Sequence, residues 1–172
     1  MDFLKKIRPV SAGALLGKLR FMQSHRHTDV ESEIRRALQA CRFAVLATQD
    51  GGQPHTSLMA ITPLNGISQL LFATYRATLK YRNLTKDGRV ALLIDGRKRT
   101  GSGSGREIVL TAHGIATELS HDEFSSAGEA HLMRHPDLKD FLASPDCALL
   151  TVAVSAWEVV AGTEDVVWHT AK

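Results

Sequence analysis

The chain has 172 residues, of which 44% are hydrophobic, 23% charged and 6% aromatic, and its formal net charge is +3. These values predict one globular domain, exclude a disordered chain, and argue against a stacking surface for single-stranded nucleic acid. The two cysteines, Cys41 and Cys147, form no CxxC pair, which excludes a cysteine zinc site and a disulfide scaffold. We expect them to be buried free thiols in a reducing compartment. Since no apolar run suits a membrane span or a secretory signal, the sequence predicts a cytoplasmic protein without a membrane partner.

The first 27 residues are predicted to form an extension ahead of the domain proper, which is expected over 28–172. The extension is loosely amphipathic, but Pro9 and Gly13 interrupt any long helix. A firmer helix is predicted from near residue 28, with Thr28 or Asp29 as its cap and apolar residues at helical spacing up to position 41.

The rest of the chain alternates short apolar runs with turn residues, a pattern typical of antiparallel strands. Turns are predicted at Asp50–Gly52 and Asn65–Gly66, which would make residues 42–74 an up-down-up meander. Gly114 is expected at a bulge or a close backbone approach. Strands are predicted over 43–48, 55–61, 67–74, 89–95, 108–118, 146–161 and 165–169, and helices over 77–86, 120–133 and 136–143. The fold class is therefore mainly β with flanking helices, an antiparallel barrel of six to seven strands.

The segment after the third strand carries the residues that favour a bound anion. An apolar strand stops at Thr74, and Arg76, Thr78 and Lys80 follow within seven residues. Hydroxyl groups and cations of this kind hold a phosphate monoester, and the helix predicted from near Ala77 would point its positive end at the same place. A solvated, basic helix start is the alternative interpretation of this segment taken alone.

The order of motifs over residues 34–119 resembles the FMN-binding split barrel of the pyridoxamine 5′-phosphate oxidase family. The matching features are an acidic-Gly turn after the first strand, a Gly-x-Pro start of the second strand, a Thr at the end of the third, a Ser/Thr-x-Lys, an Asn near the end of the following helix, and a later Gly-x-Ala. In this sequence they stand at Asp50–Gly52, Gly52–Pro54, Thr74, Thr78–Lys80, Asn83 and Gly114–Ala116.

The resemblance implies a homodimer that binds FMN in grooves at the subunit interface. Thr74 and Lys80 would hold the phosphate with help from Thr78, and the second strand would run beside the flavin ring. The aromatic residue that the family places near the cofactor would correspond to Trp168. The residues expected to bind the cofactor are Ser57, Leu58, Met59, Ala60, Thr62, Thr74, Tyr75, Arg76, Thr78, Lys80, Asn83 and Trp168.

The sequence departs from the oxidase proper at the positions that would bind its substrate. Ser57 and Thr62 stand where the oxidase has basic residues, although Arg76 or Arg82 would supply charge, and its C-terminal arginine pattern is not evident. FMN binding is therefore expected without pyridoxamine phosphate oxidation, in an oxidoreductase whose small-molecule substrate is unknown and whose reductant is NADH or NADPH. The alternatives are a non-enzymatic flavin binder or electron carrier, and a relative that binds or degrades heme. No catalytic residue can be named from the sequence.

The remaining histidines, tryptophans and glycines receive simpler interpretations. His131 and His135 have helical spacing, but they lack the Glu of a zinc-protease motif and precede Pro136, so we expect a solvated helix end and no metal site. His55 and His113 are interpreted as ordinary strand residues, with an approach of either to the flavin ring as the alternative, and Trp157 as a core or interface anchor. The Gly/Ser-rich basic loop over 96–106 lacks the ending of a nucleotide phosphate loop and is expected to be a flexible hairpin.

Overall fold

The computed structural model describes residues 30–97, 108–161 and 165–171. The extension over 1–27, the caps at Thr28 and Asp29, and the Gly/Ser-rich part of the 96–106 loop lie outside these residues and stay predictions. The described helices are α1 over 30–40, α2 Leu79–Lys86, α3 His121–Arg134 and, after the 3-10 turn Pro136–Leu138, α4 Lys139–Leu142. The strands are β1 Phe43–Asp50, β2 Gln53–Ala60, β3 Thr62–Leu64, β4 Gln69–Tyr75, β5 Arg89–Asp95, β6 Ile108–Glu118, β7 Cys147–Ala161 and β8 Asp165–Thr170.

The eight described strands belong to one antiparallel sheet with the order β2-β1-β5-β6-β7-β4-β3, and β8 pairs with the second half of β7. The two ends of this order, β2 and β3, are separated along the chain only by Ile61. The sheet therefore curls back on itself as a split barrel with flanking helices, which confirms the predicted fold class. Strand β7 is long because it pairs with β6 on one edge and with β4 and then β8 on the other.

The predicted meander over 42–74 is wrong between its second and third strands, where the structure has an additional short strand, β3. The first hairpin forms as expected, since Gly51 and Gly52 both take positive φ between β1 and β2. The second predicted strand, however, breaks at the fully buried Ile61. β2 pairs with β1, whereas the three residues after Ile61, which lie beyond the predicted strand, form β3 and pair with β4, whose other neighbour is β7. Closing a barrel requires this change of partner, which a purely local pattern does not reveal.

Two apolar clusters lie on opposite faces of the sheet. The barrel interior contains Leu46, Phe72, Leu92, Leu110 and Trp157, all fully buried. The indole N–H of Trp157 donates to the Ile67 carbonyl at 2.9 Å, which confirms its prediction as a core anchor. A Cβ built at Gly114 would lie 2.3 Å from the Ala153 carbonyl oxygen, beside a register shift between β6 and β7, so this position requires glycine. The second cluster packs α3 and α4 against the outer faces of β4 and β7.

Candidate functional site

The turn that joins β4 to α2, residues 74–80, brings two of the predicted hydroxyl groups together. Thr74 is buried at the end of β4, and its Oγ1 lies 3.1 Å from Oγ1 of Thr78. Thr78 is the cap of α2, since its hydroxyl donates to the Tyr75 carbonyl at 2.7 Å and accepts from the N–H of Tyr81 at 3.4 Å. The first N–H groups of a helix have no acceptor within the helix, so this turn combines hydroxyls with the positive end of α2.

Lys80 lies in the first turn of α2 and has no anionic partner among the described residues. It is half-buried, and it makes neither a hydrogen bond nor an ion pair with any residue that the structure describes. Burial lowers the pKa of its ammonium group. A cation in the first turn of a helix is unfavourable unless an anion accompanies it. A bound phosphate would supply that anion, so the donor set at Thr74, Thr78 and Lys80 fits the phosphate of FMN.

Arg76 is held away from this donor set by contacts of its own. One Nη donates to the carbonyls of Pro145 at 3.3 Å and Cys147 at 2.8 Å, and the other pairs with the carboxylate of Glu118 at the end of β6. The second oxygen of Glu118 accepts a 2.5 Å hydrogen bond from the Tyr81 hydroxyl, which raises the pKa of Tyr81. Glu118 thus ties both flanks of the β4–α2 turn to the barrel. The sequence predicts that Arg76 replaces a cation missing from this site, but in the structure its guanidinium is paired with Glu118.

Asn83 lies one turn after Lys80 on the same face of α2 and is buried. Its amide nitrogen donates to the hydroxyl of Thr48 on β1 at 3.1 Å, which fixes α2 against the sheet. Its amide oxygen is buried and has no partner within the described part of the chain. A buried acceptor without a donor costs free energy, so this oxygen is available to a donor from a ligand.

The predicted cofactor residues of the second strand divide between the two faces of the sheet. Ser57 and Met59 share the inner face, whereas Leu58 and Ala60 point outward. Thr62 also points outward, where α3 covers it, and its hydroxyl shares a 2.8 Å hydrogen bond with Nδ1 of His131. The structure therefore does not bring Thr62 together with Thr74.

Tyr75 and Trp168 occupy separate positions as well. Tyr75 packs against Phe141 beside α4, with ring centroids 4.2 Å apart. Trp168 is 59% exposed on β8, and its ring lies 5.2 Å from that of His113 on β6. The main-chain carbonyl of Tyr75 accepts from the Thr78 hydroxyl, but its ring packs on the α4 side. Among the described residues, Trp168 makes no hydrogen bond to the β4–α2 turn.

The expectation of a solvated helix end at His131 and His135 is wrong. Both side chains are buried, and their ring centroids lie 4.7 Å apart. His135 Nε2 lies 2.9 Å from the Ile61 carbonyl, at the break between β2 and β3. Burial and the neighbouring charges lower the pKa of His131 to about 4. The sequence shows the helical spacing of the two histidines but not their burial, because the residues that cover them, Ile61 and Thr62, stand at the break between β2 and β3.

The described residues contain neither a metal cluster nor a membrane helix. Within 30–97, 108–161 and 165–171, no group of three or more histidine, cysteine or acidic side chains is placed to hold a metal ion. None of the helices in these ranges has both the length and the apolar character needed to cross a bilayer. Both cysteines are free thiols, with Cys147 buried and Cys41 only half-buried.

Comparisons with known proteins identify relatives of the whole domain. The pyridoxamine 5′-phosphate oxidase family profile matches residues 30–161. No curated protein matches the chain significantly. The heme binding protein of Mycobacterium smegmatis has a similar structure with a TM-score of 0.71 at 23% identity, covering 81% of this chain and 57% of its own length. The chain thus spans a little over half of that relative.

Two further similar structures match nearly their full length. The General Stress Protein 26 of Bacillus anthracis has a TM-score of 0.63 at 19% identity, covering 83% of this chain and 98% of its own. The heme storage protein HutZ of Vibrio cholerae has a TM-score of 0.63 at 17% identity, covering 76% and 92%. At these identities the likeness establishes the fold.

Proposed function

Since the chain belongs to the pyridoxamine 5′-phosphate oxidase family, we propose that it is an FMN-binding flavoprotein that acts as an oxidoreductase on a small molecule. The observation that carries the proposal is the half-buried Lys80 without an anionic partner among the described residues, in the first turn of the helix that Thr78 caps with its hydroxyl paired to that of Thr74. FMN, when bound, supplies hydride and electron transfer at its N5 position. NADH or NADPH is the proposed reductant, and the free thiols of Cys41 and Cys147 fit a cytoplasmic location.

The residues of this chain would bind and orient the cofactor. Lys80 would neutralise the phosphate, and the hydroxyls of Thr74 and Thr78 would donate to it after turning from their present partners. The amide oxygen of Asn83 would accept a hydrogen bond from a donor group of the cofactor. The outward residues Leu58 and Ala60 would contact the ring. Thr62, covered by α3, is a weaker candidate for that contact. A non-enzymatic flavin binder would use the same residues, so the proposal of catalysis depends on reductant oxidation by the flavin-loaded protein.

Heme binding is a second candidate. Two similar structures are a heme binding protein and a heme storage protein. In this chain, His113 lies beside the exposed Trp168 on a surface that also contains exposed aliphatic side chains. An imidazole on an apolar surface is a suitable axial ligand for heme iron.

Absorbance spectroscopy of the purified protein separates the two candidates. We expect added FMN to remain bound through gel filtration, and the eluted protein should show flavin absorbance bands at about 370 and 450 nm. A Soret band after hemin addition that disappears in His113→Ala, together with no retained FMN, would favour heme and overturn the flavin proposal.

The outer face of the sheet supports a homodimer. We define the outer apolar face as the exposed residues Phe43, Leu58, Leu93, Ile115, Val166 and Trp168. Cross-strand partners share a face, and the register connects Leu58 through Val45 to Leu93, and Leu93 through Thr111 and Glu158 to Trp168. The outer apolar face thus places exposed apolar side chains on five strands, and exposed apolar surface of this kind marks a contact with another protein. A second copy of the chain would cover it.

The substitution Leu93→Asp is expected to convert the dimer into a monomer. Leu93 is central to the outer apolar face, and a two-fold interface would bury two aspartates close together without a counter-charge. Light scattering after gel filtration measures the mass. Met133→Asp, which changes an exposed apolar residue on α3, is the matched control and should stay dimeric. A wild-type monomer at micromolar concentration would contradict the prediction.

The substitution Glu118→Gln is expected to weaken FMN binding by about tenfold, equivalent to ~1.4 kcal/mol. The neutral glutamine at position 118 would bind Arg76 and Tyr81 more weakly than the carboxylate does. The β4–α2 turn would then lose its fixed geometry. Riboflavin, which has no phosphate, should bind almost as before. Asp50→Asn breaks the exposed ion pair with Lys86 at the other end of α2 and serves as the control. Tighter FMN binding by Glu118→Gln would instead show that a released Arg76 contacts the phosphate.

A further inference from the structure

A cleft of about 600 Å³ lies between α1, β3 with its following turn, and the end of α3. Its size is within the range of sites for small molecules. Its wall combines two cations, Arg35 and Arg134, with the apolar side chains of Leu38, Pro63 and Met133. None of the residues at the β4–α2 turn lines it, so the cleft is separate from the proposed cofactor site.

Arg134 gives the cleft a half-buried positive charge that has no carboxylate partner among the described residues. Its Nη2 donates to the main-chain carbonyls of Leu38, Gln39 and Cys41 at 2.6, 3.2 and 2.8 Å, at the end of α1. Its Nε is buried and has no acceptor among the residues that the structure describes. Burial and the nearby guanidinium of Arg42 lower the pKa of Arg134. A buried N–H without an acceptor at the edge of a cleft indicates a place for an anionic or carbonyl oxygen.

Arg35 provides a second cation at the rim. It is exposed and pairs with Glu31 one turn earlier at 2.5 Å, a kind of contact that contributes little stability. Its guanidinium reaches from α1 across to the turn after β3, where Nη1 lies 2.7 Å from the position of a Cβ on Gly66. No aspartate or glutamate is among the described residues of the cleft wall. Arg35 is therefore free to exchange Glu31 for a ligand that enters the cleft.

The opposite part of the wall is apolar and open. Met133 is 82% exposed, although it stands in a helix whose other large apolar residues are covered. Methionine adapts its shape to varied ligands because its side chain is unbranched and polarisable. With Leu38 and Pro63 it would contact a compact apolar body. Thr62 is also among the residues that line this cleft, and its hydroxyl is bonded to His131.

We propose that this cleft binds a small amphipathic carboxylate, with the carboxylate at Arg134 and Arg35 and the apolar body on Leu38, Pro63 and Met133. The arrangement requires both parts of the ligand. A bare anion lacks the apolar contacts, and a neutral analogue leaves the Nε–H of Arg134 without a strong acceptor. The proposal does not depend on FMN binding.

The test uses the full chain labelled with ¹³C at the methionine methyl groups, with phenylacetate as the probe. The chain contains four methionines, and the Met133 signal is identified by its loss in Met133→Leu. Phenylacetate should shift this signal in a saturable way. Phenylacetamide lacks the charge and acetate lacks the apolar body, so each should bind at least about tenfold more weakly than phenylacetate.

Substitutions on α1 test the assigned contact. Arg35→Gln should weaken phenylacetate binding by about fivefold, since it removes one charge-assisted contact. Arg36→Gln removes the same charge from the next residue of the helix, which is exposed and outside the cleft wall, and should leave binding unchanged. The proposal is overturned by the absence of a saturable shift, by equal binding of phenylacetamide, or by equal losses in the two variants.

Discussion

The substitution Lys80→Ala is expected to weaken FMN binding by about 30-fold while it leaves riboflavin binding nearly unchanged. A hydrogen bond between charged groups in a partly buried site contributes ~2 kcal/mol, which corresponds to that factor. The half-buried ammonium of Lys80 has no anion among the described residues, so its charge is uncompensated until a phosphate binds. Riboflavin lacks the phosphate and should not depend on Lys80. Flavin fluorescence quenching measures both affinities.

Two variants of the same helix control this prediction. Lys80→Arg retains the charge and should keep most of the affinity for FMN. Lys86→Ala removes a lysine from the last turn of α2, where it pairs with Asp50, and should have little effect. Equal losses of FMN and riboflavin affinity in Lys80→Ala would show that Lys80 supports the fold of the site instead of binding the phosphate.

The free energy of unfolding is expected to decrease by up to about 3 kcal/mol as the pH falls from about 6.5 to 4, through His131. The pKa of His131 is lowered to about 4 by its burial, by His135 and by Arg134. The pKa of His135 is lowered too, mainly by burial. Since the folded-state pKa lies below that of the unfolded chain, the unfolded state binds more protons in this window, and acid therefore favours unfolding.

Urea unfolding at pH 7.0 and pH 4.5 tests this acid sensitivity. His131→Gln removes the titrating group and should flatten the dependence, even though it is less stable at neutral pH. His121→Gln, at the exposed start of the same helix, should retain the wild-type slope. Asp87 and Asp95, whose pKa values are lowered by Arg89 and Arg97, lose their contributions only at more acidic pH. An unchanged slope in His131→Gln would exclude His131 as the source.

Much of the fold could be predicted because its patterns are local. The strands Arg89–Asp95 and Ile108–Glu118 have the predicted bounds, and the hairpin at Gly51 and Gly52 follows from residues that accept positive φ. The break at Ile61 could not be predicted in this way. It arises because β2 and β3 pair with β1 and β4 respectively, and such pairing is a long-range property of the closed barrel.

The candidate site also combines contacts that follow from the local sequence with contacts that join distant parts of the chain. The contact between the hydroxyls of Thr74 and Thr78 follows from a strand end and a helix cap that are close in the sequence. The contact between Arg76 and Glu118, by contrast, joins residues 42 positions apart. The burial of His131 depends on Thr62, 69 positions away. For side chains such as Arg76 and His131, the sequence therefore predicts a contact with ligand or solvent, whereas in the structure they contact distant parts of the chain.

The most direct measurement for the central claim is a calorimetric titration of the wild-type chain with FMN and, separately, with riboflavin. The account predicts saturable FMN binding that is tighter than riboflavin binding by at least about tenfold, since the β4–α2 turn would bind the phosphate. The absence of FMN binding would contradict the proposed function. Equal affinities for the two flavins would contradict the assignment of Thr74, Thr78 and Lys80 to the phosphate.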